Sequence, residues 1–217
     1  MADFKKVTLA LATAGLLSSG AVQAALIDRG GGLIYDDVLN ITWLADANYA
    51  QTSGYDSDGR MNWSTANTWA ANLSYGGYDD WRLPSALSQD GSRGICFGYC
   101  TNSEMGHMFY NNLGAIADSS VLAGTDTANL ALFTNLQSYL YWFGTVDALD
   151  PAGYAFLFFT LDGYQDYLIQ DFELYAWAVR PGDVAAIPEP ETYAMLLAGL
   201  GLLGVAAKWR RRSFGAS

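Results

Sequence analysis

The residues best equipped for chemistry sit in three short stretches. Cys96 and Cys100 are followed closely by Glu104 and His107, so two thiols, a carboxylate and the chain's single imidazole lie near one another in sequence. Converging ligands of these types hold zinc, although Cys-x3-Cys with one His is a weak zinc spacing. In an oxidising compartment the same thiols pair, and a disulfide pinning the glycine-rich turn around Gly98 is the expected state. The second stretch is Asp56-Ser57-Asp58-Gly59. Placing Gly59 sixth in an EF-hand loop would put Gly54 first and Thr65 last, where carboxylates are required. A solvated loop is the expectation, with Asp56 and Asp58 as candidates for a less regular calcium site. The third is Trp81-Arg82-Leu83-Pro84. The indole buries a large surface and needs one partner for its N–H. Arg82 offers a planar fork that can tie a loop to Asp79, Asp80 or backbone carbonyls, and Pro84 fixes the chain direction. All of that is scaffold work.

The usual catalytic constellations are missing. With His107 as the lone histidine, the chain has no G-x-S-x-G, no H-E-x-x-H, no Walker loop and no dinucleotide fingerprint. Carboxylates are numerous enough to form a glycosidase pair. Acids scattered over an acidic surface are nevertheless the background, and no enzymatic role is expected.

Two end segments are set apart from the fold. Lys5 and Lys6 precede an apolar run over residues 7–17, and Val22-Gln23-Ala24 supplies the small residues of a cleavage site. Residues 1–24 therefore read as a signal peptide. Near the other end, Pro188-Glu189-Pro190 leads into an apolar run over residues 193–207 and a basic cluster, Lys208 with Arg210, Arg211 and Arg212. At about 15 residues the run is short for a bilayer, and the basic cluster orients it with the main domain outside. The expected plan is a signal peptide (1–24), a globular domain (25–186), a sorting segment with a transmembrane helix (187–212) and a cytoplasmic tail (213–217).

The globular domain is strongly acidic. Of the 22 Asp and Glu residues, only Asp3, Glu189 and Glu191 lie outside it, while its basic residues are Arg29, Arg60, Arg82, Arg93 and Arg180, with no lysine. Such a surface repels nucleic acid and other polyanions.

The elements that must position these residues read as α+β. Residues 32–35 and 39–44 form apolar, β-branched pieces around Asp36-Asp37, which predicts a hairpin. Trp63, Ala66, Ala70 and Leu73 recur at helical spacing, so residues 64–73 read as a helix stopped by Gly76-Gly77. Thr101-Asn102-Ser103-Glu104 matches a capping box for a second helix that buries Met105, Met108 and Phe109 and ends at Gly114. Residues 139–143 and 154–161 read as strands. Residues 175–180 alternate with period two, placing Tyr175, Trp177 and Val179 on one face. Two helices early and strands late predict a mostly antiparallel sheet.

The tail resembles the PEP-CTERM sorting signal through Pro188-Glu189-Pro190, the apolar run and the arginine cluster, in that order. The resemblance implies recognition by an exosortase in the inner membrane of a Gram-negative bacterium. It further implies transient anchoring there, cleavage near Pro-Glu-Pro and release to the envelope or an exopolysaccharide matrix. The body resembles the Lcl C-terminal-like domain, named for a collagen-like bacterial adhesin. The matching pieces are Leu39-Asn40-Ile41-Thr42-Trp43-Leu44, Gly77-Tyr78-Asp79-Asp80-Trp81-Arg82-Leu83-Pro84 and Ala176-Trp177-Ala178-Val179-Arg180-Pro181-Gly182-Asp183. That resemblance implies a C-type-lectin-like fold and carbohydrate binding. The adhesin's ligand is an anionic sulfated polysaccharide, which this acidic domain is poorly suited to hold. Neutral polysaccharide is the better expectation, with no cofactor unless calcium bridges the sugar. Two alternatives remain open. One is a structural matrix protein without a specific ligand. The other is an oxidoreductase like the formylglycine-generating enzymes, which share Arg82-Leu83-Pro84 but not the following Ser85-Ala86-Leu87-Ser88. Candidate recognition loops are residues 53–60 and 88–101.

Overall fold

The computed structural model describes residues 26–89 and 94–184. The signal peptide, the sorting segment with Pro188, Glu189 and Pro190, and the expected transmembrane helix lie outside the described residues. No helix among the described residues is long and apolar enough to cross a membrane.

The domain is mixed α+β, with few helices and two mostly antiparallel sheets. The first sheet has the order β1-β2-β3-β9, from β1 (Leu26–Asp28), β2 (Leu33–Asp36), β3 (Ile41–Leu44) and β9 (Val179–Pro181). The β2–β3 hairpin forms where the sequence predicts it, with Leu33 opposite Leu44 and Asp36 opposite Ile41. Its turn is built by Asp36, whose Oδ1 accepts from the amides of Val38 and Leu39, and by Asn40, which takes a left-handed φ of 52°. Strand β9 pairs with β3, Thr42 opposite Arg180, so the two ends of the domain close on one another.

The second sheet has the order β4-β8-β5-β6-β7: β4 (Arg60–Met61), β8 (Leu174–Tyr175), β5 (Leu140–Val146), β6 (Tyr154–Phe159) and β7 (Gln165–Ile169). All its neighbours are antiparallel except β5 and β8, which run parallel at Tyr141 and Tyr175. The helices are short: α1 (Tyr49–Thr52), α2 (Trp63–Ala71), α3 (Glu104–Gly106) and α4 (Thr127–Leu130), with a π-helix at His107–Asn112 and a 3-10 turn at Val121–Ala123.

Helix α2 starts where Asn62 accepts from the amide of Thr65. Ala66, Trp69 and Ala70 turn inward, while the Trp63 indole donates to the Phe143 carbonyl and ties the helix to β5. The second helix departs from the expected capping box. Ser103, rather than Thr101, is the N-cap, accepting from the Gly106 amide. Glu104 does not reach back to the cap, because its carboxylate is taken by Arg82. Met105, Met108 and Phe109 are buried as expected.

The segment 175–180 is not one alternating strand. Tyr175 belongs to the second sheet and Val179 to the first, and residues 176–180 are all buried. A strand with one solvated face would expose every second residue. This segment crosses between two sheets and is covered on both sides. Trp177 marks the crossing, with its ring centroid 4.7 Å from Trp43 of β3, 5.1 Å from Phe133 and 6.1 Å from Tyr141 of β5. Its indole N–H donates to the Leu44 carbonyl at 2.7 Å. With Trp43, Trp142, Tyr141, Phe143, Phe156 and Phe158 fully buried, most aromatic residues of β3, β5 and β6 build the core.

Candidate functional site

Trp81 and Arg82 sit at the joint between the sheets. Trp81 is buried, and its indole N–H faces the carbonyls of Tyr78 and Tyr75 at 3.2 and 3.4 Å. Arg82 exchanges both backbone hydrogen bonds with Val179. Its guanidinium does not reach Asp79 or Asp80. It makes a two-pronged ion pair with Glu104, Nη1 to Oε2 at 2.8 Å and Nη2 to Oε1 at 2.7 Å, and also donates to the Leu83 carbonyl. Glu104 is only 3% exposed and accepts a further bond from the Ser85 amide. Asp80 instead pairs with Arg180 at 2.7 Å, and Arg180 lies 4.1 Å over the Tyr78 ring. That hydrogen bond holds the Asp80 carboxyl below the ordinary carboxylate range.

The outer side of this motif forms a cleft of about 670 Å³, lined by Arg82, Leu83, Pro84, Ser85, Leu87, Ser88, Gln89, Glu104, Asn67, Gly144 and Thr145. Four parts of the chain meet there: α2 supplies Asn67, β5 supplies Gly144 and Thr145, α3 supplies Glu104, and residues 82–89 supply the rest. Thr145 Oγ1 accepts from the Ala86 amide, and Ser85 Oγ accepts from the Leu87 amide, so each hydroxyl retains its proton for a ligand. One N–H of each side-chain amide, Asn67 and Gln89, is used on the carbonyls of Trp63 and Leu87, and their oxygens remain as acceptors. Gly144 keeps the floor open. A Cβ there would sit 3.4 Å from Leu83 Cβ and 3.5 Å from Asn67 Oδ1, in ordinary contact but occupying the cleft.

The other predicted site residues are placed as follows. Cys96 and Cys100 form a disulfide, with Cα atoms 5.8 Å apart. This removes the thiols from the alternative zinc set, and Glu104 is already paired with Arg82. His107 lies on the π-helix, with Nδ1 2.8 Å from Asn111 Nδ2 and Nε2 4.0 Å from Oδ2 of buried Asp36. Burial lowers its pKa from the ordinary histidine value, partly offset by Asp36 and Asp37. In the 53–60 loop, Asp56 Oδ1 accepts from the amides of Asp58 and Gly59. Asp58 binds the Arg60 guanidinium through Oδ2, which holds its carboxyl below the usual range. Gly59 is required there: its φ is +82°, and a Cβ would lie 1.8 Å from Asn48 Oδ1. Among the described residues no group of three or more His, Cys, Asp or Glu side chains could hold a metal ion.

Residues 186–212 match the PEP-CTERM protein-sorting motif. The chain carries that motif. It spans the Pro188-Glu189-Pro190 stretch and the basic cluster, and marks the chain as an exported substrate of an exosortase with a C-terminal sorting signal. No curated protein matches the chain. The PEP-CTERM motif therefore speaks for the route of the protein, and the domain's own chemistry rests on the cleft.

The reading from sequence missed Asn67, Gly144 and Thr145. They come from two elements, α2 and β5, and no local pattern in the chain links them. Of the two candidate loops, residues 88–101 contribute Ser88 and Gln89 to the cleft rim, whereas residues 53–60 contribute nothing to it.

Proposed function

We propose that the domain of this exosortase-processed protein is a non-enzymatic carbohydrate-binding module, displayed at the cell surface or in the extracellular matrix, that takes neutral polysaccharide. The observation that carries the reading is the lining of the cleft. Hydroxyl donors from Ser85, Ser88 and Thr145, amide oxygens from Asn67 and Gln89, and the outer edge of Arg82 surround one open concavity. Such a set matches the alternating donor and acceptor character of sugar hydroxyls. The charged groups among its described lining residues, Arg82 and Glu104, neutralise one another, so that lining has no net charge to attract an ionic ligand. Glu104 is committed to that pair and to the Ser85 amide, and no second carboxylate is among the described lining residues, which disfavours the paired-acid chemistry of a glycosidase. The resemblance to Lcl C-terminal-like domains supports carbohydrate binding, though not the neutral ligand. The test is calorimetric titration of soluble neutral polysaccharides into the exported protein and its Gly144→Val variant. Saturable binding that Gly144→Val abolishes supports the reading. Binding unaltered by the filled floor sinks the cleft as the site, and no binding by a folded protein favours a structural matrix role.

A further inference from the structure

Strand β7 is an outer strand of the second sheet, and its Tyr167 belongs to a half-exposed aromatic patch. In its register with β6, Tyr154 lies opposite Ile169 and Phe156 opposite Tyr167, so all four side chains share one face. Phe97, from the disulfide-closed turn, lies over this face with its ring centroid 5.4 Å from Phe156 and 5.8 Å from Tyr167. Tyr154 adds an edge contact to Tyr167 at 5.5 Å. Phe156 is thereby buried, but Phe97, Tyr167 and Ile169 remain 56, 42 and 40% exposed. The turn that carries Phe97 is firmly held. Gly98 and Gln165 exchange both backbone hydrogen bonds, and the Gln165 amide donates to the carbonyls of Cys96 and Ala86.

An exposed edge strand with apolar rings commonly receives another strand. Here several outward backbone groups of β7 are already used. Gln165 is paired with Gly98, the Tyr167 amide donates to the Asp166 carboxylate, and the Ile169 carbonyl accepts from Phe172. Strand addition is therefore disfavoured along most of β7. A second copy is opposed by charge, since each chain carries a formal net charge of −11. Fixed rings that are poorly placed to serve a main-chain partner suit a neutral ligand with flat C–H faces.

We propose that Phe97 and Tyr167 form a second sugar subsite, on which the C–H faces of neutral hexose units in a polysaccharide stack. The proposal rests on the carbohydrate-binding reading of the cleft but concerns different residues. The rings are held at edge-to-face and tilted angles that leave their outer surfaces open, and the disulfide-closed turn sets their spacing before a ligand arrives, which lowers the ordering cost of binding. The acidic surroundings turn away sulfated or uronic polymers at the same place.

The test uses the exported protein with its disulfide intact, a soluble neutral β-glucan and dextran as probes, and dextran sulfate as the anionic comparison. Phe97→Ala with Tyr167→Ala is expected to weaken glucan or dextran binding about tenfold or more, the scale of one or two ring contacts. Tyr167→Phe, which keeps the ring, is expected to bind like the wild type. Unchanged thermal melting of the variants separates lost contact from lost fold. Binding that survives loss of both rings but is abolished by Gly144→Val overturns the second subsite and leaves the cleft reading standing. Binding lost with the rings but not with Gly144→Val upholds the subsite and overturns the cleft. Dextran sulfate binding as tight as the neutral probes overturns the proposed ligand class. Absence of binding to both neutral probes overturns the two readings together.

Discussion

Replacing Arg82 with alanine isolates a carboxylate that the fold has taken out of water. Glu104 is 3% exposed, and its neighbours are the Arg82 guanidinium, which binds both oxygens, and the Ser85 amide. Breaking a fully buried ion pair by removing one partner costs about 3–5 kcal/mol. The Arg82 side chain is 40% exposed, so water entering the cleft replaces part of what it supplied. The expected cost falls to about 2–3 kcal/mol. Glu104→Gln should be milder. Its amide oxygen still accepts from Ser85, and the guanidinium left behind reaches solvent through the cleft, for a cost of about 1 kcal/mol. The asymmetry carries the argument, because a simple pairwise attraction would make the two variants equal. Urea unfolding of both, with matched m-values, measures it. Arg82→Ala within about 0.5 kcal/mol of the wild type, or Glu104→Gln the more costly of the two, would refute the placement of a buried charge at Glu104.

Other outcomes follow from the same geometry. His107 is held neutral by burial, so the unfolded chain binds a proton more readily than the folded one. Stability should therefore fall as pH drops through about 6.5 toward the lowered folded value, and His107→Gln should flatten that part of the curve in urea titrations at several pH values. Gly106→Ala would put a Cβ 2.0 Å from the Cys100 carbonyl oxygen, a backbone atom with no room to yield. A loss of about 3 kcal/mol or failure to fold is expected, read by circular dichroism. Reducing the Cys96–Cys100 bond, which closes a loop of sequence separation 4, should lower stability by about 2 kcal/mol, seen as an earlier melting transition with reductant. Calcium should leave the melting temperature unchanged, because Asp56 is spent on backbone amides and Asp58 on Arg60.

Local signals carried much of the fold. The Asp36 turn, the Asn62 cap and the apolar runs of β5 and β6 act through neighbours a few residues away, and each element forms close to where its pattern places it. Strand β7 was also within reach. Asp162-Gly163 follows the β6 run, Gly163 takes a φ of +87°, and an Asp-Gly pair between apolar stretches is a hairpin signal. Period-two alternation misled at residues 175–180, because it assumes that one face meets solvent, and here a chain crossing between sheets is covered on both. The cleft was legible only in part. Arg82 showed itself as a fork in need of a carboxylate, but two nearby aspartates competed on paper with Glu104, which lies 22 residues away. That choice is made by the packing of the π-helix segment against the sheets. Asn67, Gly144 and Thr145 become neighbours only through the contact of α2 with β5.

The central claim is that a neutral sugar occupies the cleft beneath the Trp-Arg-Leu-Pro motif. The most direct measurement is a glycan-array screen of the exported protein, run beside Gly144→Val, with the host's own exopolysaccharide among the probes. Saturable binding to neutral glycans by the wild type, lost in the folded Gly144→Val protein, is the expected result. Equal signals from both proteins, or none from either, would contradict it.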